Sequence, residues 1–367
     1  MRVSELATPA LVVDADALAR NLDAAAAVLP GRRLRPHVKA HKCTGIARAQ
    51  AARAHRAFTC ATAREVLGMA AAGLGEDLLL ANEVVDEGRL AALAAAQDAA
   101  RITVAIDSDA TLEAAARAGL REVLVDVNVG LPRCGCAPSD AGRLADRARG
   151  AGLRVRGVMG YEGHLMTVPD RAERARRVAE AMATLARAAE DVGGDDDGGS
   201  EIVSAGGTGT WDLHAGCATT EVQAGSYALM DTHYASVGLP FAQAAHVLGT
   251  IVSVSREWAV ADVGLKALGM DHGDPTVEGW RTWYCSDEHV TFGPAEVEAS
   301  GLGRRAGAAA AGEDGGGGAR RLAELRVGDR VRVAPAHIDP TMAMHEVAWL
   351  VRGDEVLDCW PIDLRGW

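Results

Sequence analysis

The sequence predicts an α/β protein: a (β/α)8 barrel of the TIM type followed by a mainly β domain. Three observations carry this expectation. Short apolar runs alternate with Ala/Arg-rich helical runs over the first two-thirds of the 367 residues. Eight such runs can be counted, the number a barrel requires; a doubly wound open sheet is the alternative. From about residue 240 the helical runs thin out while strand-like runs continue.

The eight runs are Leu34–Val38, Phe58–Ala61, Leu78–Ala81, Ile102–Ile106, Val123–Asp126, Val155–Met159, Ile202–Ser204 and Glu221–Gln223. They are short and mostly apolar, as strands buried on both faces are. Helix candidates between them include Cys43–Arg56, Arg64–Ala72 and Arg171–Val192. The later strand candidates are His246–Ser255, Trp258–Val263, Arg281–Tyr284, Arg330–Ala334, Val347–Val351 and Glu355–Trp360. Val327–Val333 reads as a turn entering an alternating strand. The domains are therefore expected at 1–240, with the first few residues free to join the β-domain, and at 241–367. Gly193–Ser200 and Gly301–Ala319 have the composition of flexible loops.

Composition narrows the function. Apolar residues make up 49% and the net charge is −12. No basic stretch follows one face, so nucleic acid is not an expected partner. Apolar runs end well short of a membrane span, and the N-terminus lacks the regions of a signal peptide. Seven cysteines without a CxxC pair suit free thiols in a reducing cytoplasm.

Cation usage is lopsided: 35 arginines against three lysines. Two of the three, Lys39 and Lys42, lie in Arg35-Pro36-His37-Val38-Lys39-Ala40-His41-Lys42. Lys can form a Schiff base once it loses its proton, whereas Arg cannot. Lys39 ends the first barrel strand, where barrels place catalytic groups, and is the better placed of the two. After the seventh strand comes Ser204-Ala205-Gly206-Gly207-Thr208-Gly209-Thr210, and after the eighth Ala224-Gly225-Ser226-Tyr227. Gly-rich turns at these two ends often cradle phosphate. A lysine opposite a phosphate cup is what pyridoxal 5′-phosphate (PLP) requires. Arg133 follows the fifth strand, and Tyr161 and His164 the sixth, where they can touch a ring hydroxyl or ring face. In the β-domain, His337 and Asp339 are two residues apart. On an extended segment they would share a face and suit Mn²⁺, Mg²⁺ or Zn²⁺; a hydrogen-bonded structural pair is the alternative.

Seven segments in order resemble a known family. They are Thr8–Asp14, Arg35–Lys42, Gly206–Gly209, Gln223–Asp231, Asp262–Lys266, Ser286–His289 and His337–Thr341. The resemblance is to the D-threonine aldolase, 3-hydroxy-D-aspartate aldolase and D-serine dehydratase family of alanine racemase-like (fold type III) PLP enzymes. It implies a homodimer and a PLP- and metal-dependent aldolase. The reaction would interconvert a D-β-hydroxy amino acid with glycine and an aldehyde. Lys39 matches the PLP lysine. Gly206, Gly207, Thr208, Gly209, Gly225 and Ser226 match the phosphate cup, and Tyr227 beside them is a further cofactor-binding candidate. Arg133 and Tyr161 match cofactor contacts, and His337 and Asp339 the metal pair. Family dehydratases usually carry Cys as second ligand, so Asp339 leans toward the aldolases. One position departs: the aldolase pattern has His six residues beyond Tyr161, where this chain has Thr167. His164 is the imidazole this loop offers instead. A dehydratase, a racemase and a non-catalytic PLP-holding protein are the competing readings.

Overall fold

The computed structural model describes residues 1–194, 201–294 and 322–367. The segments expected as flexible loops, 193–200 and 301–319, lie outside the described residues except for Gly193 and Gly194. The chain forms two compact units. A β-unit comprises Met1–Asn21, Ala228–Ser236 and Pro240–Ile362; a barrel unit comprises Leu22–Tyr227, Val237–Leu239 and Asp363–Trp367. The β-unit thus takes more of the N-terminus than a boundary at 240 would give it.

The β-unit begins with β1 (Ala10–Asp14). The barrel unit holds β2 (Ala57–Cys60), β3 (Asp77–Leu80), β4 (Ile102–Ile106), β5 (Glu122–Asp126), β6 (Arg154–Met159), β7 (Ile202–Ala205) and β8 (Glu221–Val222). These seven form one parallel sheet in sequence order. The expected first strand, Leu34–Val38, is not a full strand. It bridges both sheet edges, Leu34 to Val222 and His37 to Thr59. Arg35 N–H donates to Val222 O at 2.9 Å and Thr59 N–H to Pro36 O at 2.9 Å. Pro36 has no N–H, which stops a regular ladder at its midpoint, and Val38 already begins a 3-10 turn.

Barrel strands are buried on both faces, which explains their unbroken apolar runs. Phe58, Leu78, Leu80 and Val123 face the helices in one large core. Leu79, Ala105, Leu124, Met159 and Ile202 pack together as a second cluster, drawn from five strands. Near the strand starts the filling is ionic. Asp77 takes Arg156 bidentately at 2.8 and 2.9 Å. It also receives Arg35 at 3.2 Å, while Arg35 Nε reaches Glu221 at 2.7 Å. Burial alone would raise the Asp77 carboxyl. Hydrogen bonds from Arg156 and the charge of Arg35 overcome it and hold the group well below the usual carboxylate range.

The β-unit adds β9 (Ala245–Val254), β10 (Ala259–Ala261), β11 (Thr276–Val277), β12 (Arg281–Cys285), β13 (Val290–Gly293), β14 (Arg330–Ala334), β15 (Val347–Arg352) and β16 (Glu355–Pro361). With β1 they make a nine-stranded sheet, β12-β13-β10-β9-β1-β15-β16, with β14 joining β9 to β11. β1 sits between β9 and β15, antiparallel to one and parallel to the other. Sequence reasoning passed over β1, β11 and β13. β1 carries a helix on its heels and so reads as the start of the barrel. β11 is two residues long, and β13 is only four residues within a polar stretch. Among the described residues no helix is long and apolar enough to cross a membrane.

Candidate functional site

In the barrel unit, Arg133, Tyr161, His164, Thr167, the 206–209 loop and Gly225–Tyr227 lie beyond the C-terminal ends of β5, β6, β7 and β8, and Lys39 lies in the turn that follows the bridging segment Leu34–Val38. Lys39 is half-buried in the 3-10 turn Val38–Ala40, capped by His37. Lys42, at φ 48°, is ion-paired with Glu65, whose side chain is fully buried. That pair commits the Lys42 amine to a structural partner. Gly225 packs against the Lys39 turn. A Cβ there would lie 2.7 Å from the His37 carbonyl oxygen and 3.0 Å from Ala40 Cβ, so only glycine permits the approach.

The remaining groups continue from that contact. Thr208 Oγ1 accepts from the Tyr227 N–H at 3.0 Å, tying the loop after β7 to the loop after β8. Gly207 is pressed against Met166 and Tyr161, and a Cβ at Gly209 would collide with the Met166 carbonyl. Thr208 and Gly209 open a 3-10 turn, and the leading N–H groups of such a turn have no acceptor within it. The Arg133 guanidinium stands 5.1 Å above the Tyr161 ring centroid. The structure therefore joins the Lys39 turn, Gly225, the 206–209 loop, Tyr161 and Arg133 into one set.

Three residues fit that set less well. The Tyr227 side chain is 1% exposed and its hydroxyl accepts from Gln50 Nε2 at 3.1 Å, so its part in the loop is played by its backbone. His164 is exposed, with its ring over Gly130. Partial burial, then the charge of Arg177, lower its pKa and favour the neutral imidazole. Thr167 is half-buried in the turn after Gly163–Leu165.

Two groupings went unseen in the sequence. Glu162 is fully buried behind the 206–209 loop. It accepts from Thr210 Oγ1 at 2.7 Å and from the Gly206 N–H at 3.2 Å, and faces His214 Nε2 at 3.3 Å. Burial opposes its charge, but His214 and Thr210 hold its pKa below the usual value. Its one sequence signal was its place beside Tyr161. The other grouping is at the end of β5. Burial, then the nearby Glu83 carboxylate, push Asp126 well above the usual carboxylate range.

The β-unit has its own cluster. His337 occupies the N-cap position of the helix Ile338–Met344 without a side-chain hydrogen bond to its first turn, in which Asp339 falls. The segment is therefore not extended through Asp339, and the alternation argument for a shared face does not apply. His337 instead meets Asp271 and His272, and ligand atoms of these three lie within 4.8 Å of one another.

Comparison with known proteins places the chain. Residues 13–233 match the alanine racemase N-terminal domain, and 244–351 match a putative serine dehydratase domain. Over 98% of its length the chain is 33% identical to D-threonine aldolase of an Arthrobacter species, covering 93% of that protein. The chain belongs to this family of alanine racemase-like enzymes. A second member, 3-hydroxy-D-aspartate aldolase of Paracoccus denitrificans, is 30% identical over 100% of the chain and 94% of its own length. The solved D-threonine aldolase of Filomicrobium marinum has a TM-score of 0.86 and 33% identity, over 100% of this chain and 97% of that one.

Proposed function

We propose that the protein is a PLP- and divalent-metal-dependent lyase acting on D-β-hydroxy amino acids. It cleaves or forms the Cα–Cβ bond, with glycine and an aldehyde as the other pair. The observation that carries this reading is the packing of the Lys39 turn on Gly225, beside the loop 206–209, Tyr161 and Arg133. The residues present fit PLP. Glycine at 207, 209 and 225 lets backbone come where a Cβ would collide, which suits a loop closing on a phosphate.

When bound, PLP draws electrons from a bond at the substrate Cα. Lys39 is the amine that would anchor the cofactor, and once neutral the same amine would take or return a proton at the substrate Cα. Gly206, Gly207, Thr208, Gly209, Gly225, Ser226 and the Tyr227 backbone hold its phosphate. Arg133 and Tyr161, already stacked, orient its ring and ring hydroxyl. His164 and Thr167 supply the polar contacts of the loop after β6. In the β-unit, His337 and Asp339 would hold a divalent ion, which would supply Lewis acidity. We extend to this chain the homodimer that the resemblance implies and the reducing cytoplasm that its free thiols suit; light scattering of the purified protein tests the dimer.

The test of the reaction is incubation of purified protein, PLP and Mn²⁺ with D- and L-β-hydroxy amino acids. Glycine plus aldehyde from D-substrates is expected. Release of a 2-oxo acid and ammonia would replace the aldolase with a dehydratase, and inverted stereochemistry with a racemase.

A further inference from the structure

His337 has two close neighbours, and their arrangement assigns them different work from its own. This inference rests on the metal reading above. The Nδ1 of His337 lies 2.8 Å from Asp271 Oδ2. Its ring lies parallel to that of His272, with centroids 3.9 Å apart and planes 10° apart. His272 in turn tilts over His233 at 4.4 Å. The three donor groups are close enough to surround one ion, so two arrangements compete. Either Asp271, His272 and His337 all ligate, or His337 ligates and the other two hold its ring.

The geometry separates them. A carboxylate oxygen only accepts hydrogen bonds, so the 2.8 Å contact requires the proton on His337 Nδ1. In a neutral imidazole the other nitrogen, Nε2, then carries the lone pair a metal needs. An imidazole lone pair lies in the plane of its ring. An ion bound to His337 at about 2.1 Å therefore sits close to the plane of that ring. The nearly parallel His272 ring, 3.9 Å away, aims its own lone pairs along a different plane. The two rings cannot serve one ion while the stack stands. Asp271 is also engaged, with one oxygen on the His337 proton.

We propose that Asp271 is a positioning residue that sets His337 in the Nδ1–H tautomer, presenting Nε2 to the metal, and that His272 clamps the ring by stacking without ligating. A carboxylate that orients a ligand histidine in this way recurs across metal sites, and its loss typically weakens metal binding about 10- to 100-fold.

Mn²⁺ titration of the full-length protein, read by electron paramagnetic resonance or calorimetry, tests this without reference to turnover. His337→Ala is expected to abolish the site. Asp271→Ala should weaken Mn²⁺ about 10- to 100-fold. Asp271→Asn, which keeps the shape and removes the charge, should weaken it in the same direction. The decisive variant is His272→Phe, because a phenyl ring can stack but cannot ligate. It should bind Mn²⁺ within about threefold of the unsubstituted protein. Circular dichroism checks that each variant folds. An affinity unchanged in Asp271→Ala, or a loss in His272→Phe as large as in His337→Ala, overturns the proposal and leaves the metal reading standing. Absence of any Mn²⁺ binding by the unsubstituted protein overturns both.

Discussion

The two units build polar sites by opposite means. In the barrel unit the candidate site is made by backbone: glycines at 207, 209 and 225 sit where a Cβ would strike Met166 or the His37 carbonyl. A network of buried charges, Arg35, Arg156, Asp77 and Glu221, lies near the strand starts, and Glu162 is buried behind the 206–209 loop. In the β-unit the candidate site is made by side chains, Asp271, His272 and His337, all partly exposed and drawn from segments far apart in the chain. Close backbone approach is rigid and tolerates few residues. A side-chain cluster at the surface can change with little cost to the fold.

Substitutions can break or sharpen this contrast. The largest effect is expected from Asp77→Ala, which leaves Arg35 and Arg156 buried beside an empty place. It should cost about 3–5 kcal/mol of stability, measured by denaturant unfolding. A loss under about 1 kcal/mol would mean that the network is not the barrel's ionic filling.

The second expectation concerns acid. His246, on β9, is pushed down to about 4 by burial, aided by the charge of Arg332. A depressed histidine contributes stability that is present above its unfolded pKa of about 6.5. That stability is lost as pH falls through the folded value. Roughly 3 kcal/mol should disappear between pH 7 and pH 4. His246→Gln should flatten that slope in thermal unfolding at several pH values. Asp126 is the mirror case in the barrel. Its folded pKa is raised, so its contribution is present at low pH and falls as pH rises above the ordinary carboxylate range. Asp126→Asn should remove the alkaline part.

Gly209→Ala should cost about 1–3 kcal/mol as the loop shifts away from Met166. It should also weaken PLP binding measured by absorbance. If instead the cup is tolerant, stability and PLP affinity will both be unchanged. Arg133→Gln is the mildest, at about 0.5–1 kcal/mol for losing the contact with the Tyr161 ring.

The same contrast explains what the sequence made legible. Barrel strands were readable because burial on both faces leaves unbroken apolar runs, and the helix Arg171–Val192 because its period is long and bounded. The Lys39 turn and the glycine loops were readable because scarcity of lysine and clustering of glycine are local signals. Glu162 was not, since its partners Thr210 and His214 are about fifty residues away and no spacing rule links them. Asp271 and His272 stayed hidden for the same reason, being 66 and 65 residues from His337. The HxD spacing was read as extended backbone, but His337 is where a helix begins. Leu34–Val38 was read as a strand, and Pro36 limits it to single bridges.

The central claim is that the amine of residue 39 carries the cofactor. Incubating the protein with PLP, reducing with borohydride and mapping peptides by mass spectrometry tests it directly, because only three lysines can be labelled. The account expects the phosphopyridoxyl mass on Lys39. Finding it on Lys42 or Lys266, or on no lysine of a protein saturated with PLP, would contradict it.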